Sequence, residues 1–345
     1  MKKLVLIVVS FAVVLGFMGC DADAGTYKKA GEAFEAGEYT QVIELLDTIP
    51  EYADADNLRG QANGIMVSQE ALEAFEAGEY TKAAELLETI PEYTDADDLR
   101  ERVGAAVAFQ AAVSAVEEKN EALDTAVNAA QDLLDSGKHP LDETAATNLQ
   151  VSIADAREAK REVPDMPGDA EAIIAETEKL NEPLDYSSQL SSLQESHLAF
   201  ENSILQMEQV TNPTGDFIIS RINEIDNVGD IQGATESNDP NGNLNKQGGY
   251  TSATFFTSPL VGEEIYGSDV IEKGTEAGGS IEVYGTVEDA QRRNDYLSTF
   301  DGAGLYNSGS HILCGTIVIR TSKRLTATQQ QELTNQIIEK LIELR

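Results

Sequence analysis

The chain of 345 residues lacks several residue types on which catalysis, metal binding and covalent cross-linking usually depend. It contains no tryptophan, two cysteines and three histidines, and only 24 lysines and arginines stand against 61 aspartates and glutamates. The resulting formal charge of −37 repels phosphate backbones, which excludes binding to DNA or RNA through phosphates. The histidines at 139, 197 and 311 lack the spacing of zinc ligands. Phosphate-binding, dinucleotide-binding and nucleophile-elbow motifs are also missing, so we expect no enzyme.

The first twenty residues have the layout of an export signal. Lys2 and Lys3 precede an apolar run from Leu4 to Met18 that only Ser10 interrupts. A basic start before a short apolar core is typical of a secretory signal. The run is also shorter than the roughly 20 residues that a membrane-spanning helix needs.

Gly19-Cys20 closes this run and resembles the lipobox of bacterial lipoproteins. The resemblance implies removal of residues 1–19, a diacylglycerol on the Cys20 thiol, and anchoring to the outer face of the cell membrane through a lipidated tether at 20–25. An ordinary cleaved signal and an uncleaved anchor are the alternatives. A lipidated Cys20 would leave Cys314 without a partner for an intrachain disulfide.

Residues 26–104 carry an internal repeat with a period of 41 residues. Phe34-Glu-Ala-Gly-Glu-Tyr-Thr40 recurs at 75–81, and the offset continues through Pro50 and Pro91. This period predicts stacked helical hairpins, with Gly37 and Gly78 ending one helix and Thr40 and Thr81 capping the next. The pattern resembles tetratricopeptide-like repeats, which implies a protein-binding face. The predicted partner-binding residues are Tyr39, Tyr80, Tyr52 and Tyr93.

The next segment, residues 105–212, predicts a helical bundle of three to four antiparallel helices. Apolar residues follow a 4-3 spacing from Phe109 to Leu134 and again from Tyr186 to Thr211, which places each set on one helix face. Each stripe contains one polar residue, Asn120 or His197. Buried polar groups need partners, so we expect these two side chains to face each other or to bind backbone carbonyls.

Residues 213–345 predict an α+β domain, which makes the whole chain a multidomain protein with an all-α N-terminal part. Glycine and β-branched residues become frequent, and the order of elements reads α-β-β-β-α-β-α, with helices on one side of the sheet. The apolar run from His311 to Arg320 is predicted as one central strand in which Cys314 is a small buried residue. Thr326 and Gln329 predict a capping box.

The segment 238–245 is the one candidate metal loop. Its alternating oxygen-bearing side chains could converge on Ca²⁺, which prefers six to eight oxygen ligands. Glu263 and Glu264 could add a carboxylate, and an ordinary hydrogen-bonded turn is the alternative. The candidate ligands are Asp239, Asn241, Asn243 and Asn245.

Residues 105–345 resemble a family of uncharacterised surface lipoproteins of Gram-positive bacteria, some of which are labelled homologues of extracellular-matrix-binding proteins. The resemblance is carried by the strings at 210–213, 238–242, 244–246, 248–251, 273–279, 293–294 and 308–311. It implies a surface location without an assigned activity. We therefore expect an extracytoplasmic lipoprotein that binds or scaffolds a protein partner without catalysis. The alternatives are a module that senses Ca²⁺ or a small ligand, and an envelope hydrolase.

Overall fold

The computed structural model describes residues 22–302 and 309–345. A helical region precedes a smaller C-terminal region with an antiparallel sheet, which confirms the predicted order of an all-α part followed by an α+β part. Cys20, the predicted lipidation residue, lies outside the described ranges. Within them, no helix has both the length and the hydrophobicity that crossing a bilayer requires.

The chain folds into two compact units. Among the described residues, one unit comprises 22–118 and 162–184, and the other comprises 119–161, 185–302 and 309–345. The helical segment 105–212 therefore contributes residues to both units.

Two consecutive helical hairpins occupy the repeat segment. Their helices are α1 (Ala22–Glu35), α2 (Tyr39–Leu46), α3 (Ala55–Glu76) and α4 (Tyr80–Glu88). Gly37 and Gly78 follow α1 and α3 with φ values of +78° and +79°, a left-handed conformation that glycine adopts without steric cost. The prediction that these glycines end the helices is confirmed.

The predicted N-caps Thr40 and Thr81 are wrong. Helices α2 and α4 begin one residue earlier, at Tyr39 and Tyr80, and the preceding glutamates make no side-chain capping bond. In each hairpin the tyrosine packs edge-on or tilted against a phenylalanine of the preceding helix, with ring centroids 5.6 Å and 5.3 Å apart. Because each helix already begins at the tyrosine, the threonine lies inside the first turn and does not cap it.

Four more helices follow, as the periodicity predicted. They are α5 (Asp97–Leu134), α6 (Glu143–Ala159), α7 (Ala170–Leu180) and α8 (Ser187–Gln209). In the first unit, Phe109 of α5 shares a core with Ile173 of α7. In the second, α6 and α8 run antiparallel, because Asp142 contacts Ser203 at one end and Ser152 contacts Ser192 further along.

Asn120 finds its partners away from His197. Its Nδ2 donates to the carbonyl of Arg161 at 2.9 Å, and its Oδ1 accepts from the Tyr186 hydroxyl at 2.7 Å. The backbone-carbonyl alternative therefore holds for Asn120, and the predicted pairing is wrong. The helix stripe showed that Asn120 is buried, but the position of the Arg161 carbonyl depends on where α6 ends.

The C-terminal sheet has five antiparallel strands in the order β1-β2-β3-β5-β4. Their bounds are β1 (Ile231–Gly233), β2 (Tyr250–Thr257), β3 (Gly278–Tyr284), β4 (Ser310–Cys314) and β5 (Ile317–Thr321). The predicted strand 311–320 is wrong, because a turn at Gly315 folds it into the β4–β5 hairpin. The central strand is β3, all of whose residues are buried.

Helices cover both faces of this sheet, whereas the sequence predicted one. On one face α9 (Gly215–Ile222) and α12 (Ala327–Ile342) pack against Phe256 and Ile281. On the other, α10 (Val270–Lys273) and α11 (Val287–Ser298) pack against Phe255 and Tyr284. The capping box of Thr326 and Gln329 is confirmed at the start of α12.

Candidate functional sites

A surface cleft of about 380 Å³ lies between the turn of the first helical hairpin and helix α3. One wall is the turn from Gly37 to Gln41, and the other is α3, which contributes Met66 and Gln69. The Thr40 hydroxyl lies 3.8 Å from the Met66 sulfur, so the two walls touch at that point. The predicted partner-binding residue Tyr39 and its neighbour Glu38 both line the cleft.

The four predicted partner-binding tyrosines are all partly buried. Tyr80 packs against Phe75, and Tyr52 packs against Tyr27 at 5.7 Å between centroids. Tyr93 lies against Gly64, where a side chain would collide with its ring. Burial, together with nearby Asp95, raises the pKa of Tyr93.

The electrostatic setting of the cleft is strongly negative. Residues 26–104 contain 19 acidic and 6 basic residues. Three of the basic residues in the hairpins, Lys28, Arg59 and Lys82, are engaged in ion pairs with neighbouring carboxylates. A positively charged group entering this cleft would therefore meet an unneutralised acidic surface.

The candidate metal loop is organised by the Asp239 carboxylate. Its oxygens accept hydrogen bonds from the backbone N–H groups of Asn241, Asn243 and Leu244 at 3.1, 2.6 and 2.8 Å, and from the Tyr250 hydroxyl. Burial acts to raise the pKa of Asp239, but the hydrogen bonds from Tyr250 and these backbone groups hold it below its usual range. The Asn245 amide turns to Glu236.

These contacts match the hydrogen-bonded-turn alternative for the loop. The four donors on Asp239 occupy the lone pairs that a calcium ion would need, and Glu263 pairs with Arg324 at 2.8 Å. Within 22–302 and 309–345, no three acidic, histidine or cysteine side chains form a group suited to a metal ion. The Ca²⁺ site at Asp239, Asn241, Asn243 and Asn245 stays a prediction.

A buried ion cluster lies between β3 and α11. The Glu282 side chain is 1% exposed and accepts a two-pronged hydrogen bond from Arg293 at 2.8 and 2.9 Å. Arg320 approaches it at 3.4 Å and the Tyr284 hydroxyl donates to it at 2.9 Å. Sequence reasoning missed Glu282, although a lone carboxylate in an apolar strand was a usable signal.

The basic residues near the C-terminus pair with carboxylates. Arg292 contacts Asp289, and both Lys323 and Arg324 contact Glu276. Together with the buried cluster, these contacts engage all five cations between 292 and 324. This cluster of basic residues is therefore a set of ion pairs.

Comparison of the chain with known proteins found no matching family model, no matching curated protein and no matching solved structure.

Proposed function

We propose that this chain is an extracytoplasmic, lipid-anchored binding protein whose N-terminal hairpins hold a cationic segment of another envelope protein. The observation that carries the proposal is the cleft in which Tyr39 and Glu38 lie together on an acidic hairpin surface. In this proposal residues 26–104 act as tetratricopeptide-like repeats, and no catalytic step is involved.

The chemistry of the cleft favours a lysine or arginine side chain. A tyrosine ring attracts a cation over its face, and an adjacent carboxylate adds direct charge pairing. Among the described residues the Tyr39 hydroxyl makes no hydrogen bond within the protein, so it can donate to a peptide carbonyl. Met66 adds a polarizable wall that adapts to different side chains.

The anchor is tested by metabolic labelling of cells with radioactive palmitate. We expect label on the full chain and none on Cys20→Ser, which should also appear in the culture medium. Label retained by Cys20→Ser would contradict the lipid attachment.

The binding role is tested with two fluorescent ten-residue peptides, one alternating lysine with leucine and one alternating glutamate with leucine. We expect the mature chain to bind the lysine peptide and not the glutamate peptide. Glu38→Lys should weaken this binding by about tenfold, which corresponds to about 1.4 kcal/mol.

Glu79→Lys provides the matched control. Glu79 precedes α4 as Glu38 precedes α2. Both variants replace a glutamate with a lysine, and they therefore change the net charge equally. We expect Glu79→Lys to bind almost as tightly as the unmodified chain. Equal losses in the two variants would show that overall charge attracts the peptide and that the cleft has no specific role.

A further inference from the structure

A second cleft, of about 430 Å³, lies in the other unit between the end of α5 and the middle of α6. From α5 and the following loop it receives Gln131, Asp135 and Lys138, which are spaced three to four residues apart on one side of the chain. From α6 it receives Gln150 and Arg157, two turns apart on one helix face. No residue of this cleft belongs to the site proposed above.

The cleft is open because α6 presents small residues there. Ala146 and Ala154 line it, and neither side chain reaches across to α5. Its floor is closed by Ile153 and Phe200, which are only 3% and 2% exposed. The apolar surface that a ligand can reach is therefore that of the partly buried Leu134 and Pro140 and of the two alanines.

The rim of the cleft is held in place by the loop between α5 and α6. The backbone N–H of Leu141 donates to the Ser203 carbonyl at 3.0 Å, and the N–H of Asp142 donates to the Ser203 hydroxyl at 2.8 Å. These contacts fix the loop against α8. The cleft is therefore formed in advance of any ligand, as small-molecule sites usually are.

Arg157 is the unusual residue of this cleft. Most arginines in the described ranges pair with carboxylates, whereas Arg157 donates to the neutral amide of Gln131 at 3.3 Å. Gln131 in turn donates to both oxygens of Asp135 at 3.2 Å, which fixes its amide oxygen toward the guanidinium. A guanidinium carries five N–H donors, so Arg157 keeps a charged, oriented fork for an incoming anion.

We propose that this cleft binds a small organic carboxylate with an apolar body. Arg157 would bind the carboxylate through paired N–H donors, and Leu134 and Pro140 would contact the apolar part. The volume falls within the range of about 300 to 1,000 Å³ that is typical of small-molecule pockets. The nearby Asp135 and the overall charge of −37 disfavour ligands with several negative charges, such as phosphate esters.

The test is titration calorimetry of the mature chain with phenylacetate, the neutral analogue phenylacetamide, acetate and inorganic phosphate. We expect phenylacetate to bind. Acetate lacks the apolar ring and phenylacetamide lacks the negative charge, so each should bind at least about tenfold more weakly. Phosphate should give no heat at matched concentration. Phenylacetate that binds no more tightly than phenylacetamide would overturn the anion site.

Two variants separate the parts of the site. Arg157→Gln should reduce phenylacetate affinity by at least about tenfold, whereas Arg292→Gln, a matched loss of an exposed arginine on α11, should not. Ala154→Leu keeps every charge and fills the cleft, so it should also abolish binding. The proposal is refuted if Arg157→Gln and Ala154→Leu leave the affinity for phenylacetate unchanged. It is also refuted if the unmodified chain does not bind millimolar phenylacetate. Glu38→Lys should leave phenylacetate binding intact, so failure here is distinct from failure of peptide binding.

Discussion

The Glu282 carboxylate is the side chain whose loss should cost the C-terminal region most. It is buried between Arg293 and Arg320, and replacing it by glutamine leaves two guanidinium groups without a counter-charge. Removing one partner of a buried ion pair typically costs about 3–5 kcal/mol. We therefore expect Glu282→Gln to lower the free energy of unfolding by that amount in urea titrations followed by circular dichroism.

Glu263→Gln is the appropriate comparison for this prediction. Glu263 also pairs with an arginine at 2.8 Å, but its side chain is 66% exposed. Exposed pairs contribute at most about 1 kcal/mol, so this variant should unfold almost like the unmodified chain. Similar losses in the two variants would contradict the view that burial gives the Glu282 cluster its importance.

Cys314 gives a chemical measure of the same region. It is 5% exposed, as expected from the sequence, and burial raises the pKa of its thiol to about 12. An unperturbed thiol, with a pKa near 8.5, is partly ionised at about pH 8. In the Cys20→Ser chain, whose one thiol is Cys314, we expect no reaction with Ellman's reagent at that pH in the folded state and rapid reaction in urea. Rapid reaction without denaturant would contradict its burial.

Among the secondary-structure elements, the β4–β5 hairpin depends on a single glycine. Gly315 has a φ of +60°, and an added Cβ would lie 2.4 Å from a methyl group of Val210 and 2.7 Å from its carbonyl oxygen. The left-handed conformation alone costs other residues about 1–2 kcal/mol. We expect Gly315→Ala to lower the free energy of unfolding by more than this amount, as measured by urea titration.

Gly285 offers a control on the same sheet. It follows β3, has no positive φ, and an added Cβ would meet nothing within 4 Å. Gly285→Ala should therefore change the unfolding free energy little. If Gly315→Ala were equally mild, Val210 would have to move aside without loss of packing.

The sequence predicted the helices well because their signals are local. The positive-φ positions of Gly37 and Gly78 and the Thr326 capping box each depend on neighbouring residues. The 41-residue repeat presents the same local signals a second time. The apolar run 311–320 fits either one long strand or a hairpin of two short strands. The two residues that form the turn, Gly315 and Thr316, are too few to interrupt the hydrophobic pattern visibly. Hydrophobic alternation also did not show that α11 covers the second face of the sheet.

The clefts were harder to predict than the helices. Tyr39 was selected from its place in the repeat, but Met66 and Gln69, which form the opposite wall, lie on the next long helix. The role proposed for Arg157 had no signal in the sequence, because it depends on the contact with Gln131 and on the alanines that open the space beside it. Such sites depend on how helices pack, which a periodic pattern does not specify.

For the whole molecule, the excess of 61 acidic over 24 basic residues makes self-repulsion a general destabilising force. Within the described ranges, many of the basic residues are already used in local ion pairs, so most carboxylates have no counter-charge. Salt screens exposed charges, and the screening length falls from about 30 Å at 10 mM salt to about 8 Å at 150 mM. Added salt should therefore stabilise this chain, even though it weakens individual surface ion pairs.

We expect the midpoint of thermal unfolding at pH 7 to rise when sodium chloride is increased over that range. The direction of this salt effect follows from the net charge. Near the isoelectric point of about 4.2, protonation of carboxylates removes the net repulsion. The same increase in salt should then leave the midpoint almost unchanged or lower it, because salt weakens the remaining ion pairs. Differential scanning calorimetry of the mature chain at both pH values, with sucrose as an uncharged control, makes the comparison. A midpoint at pH 7 that falls with salt would show that attractive ion pairs outweigh the repulsion among the unpaired carboxylates.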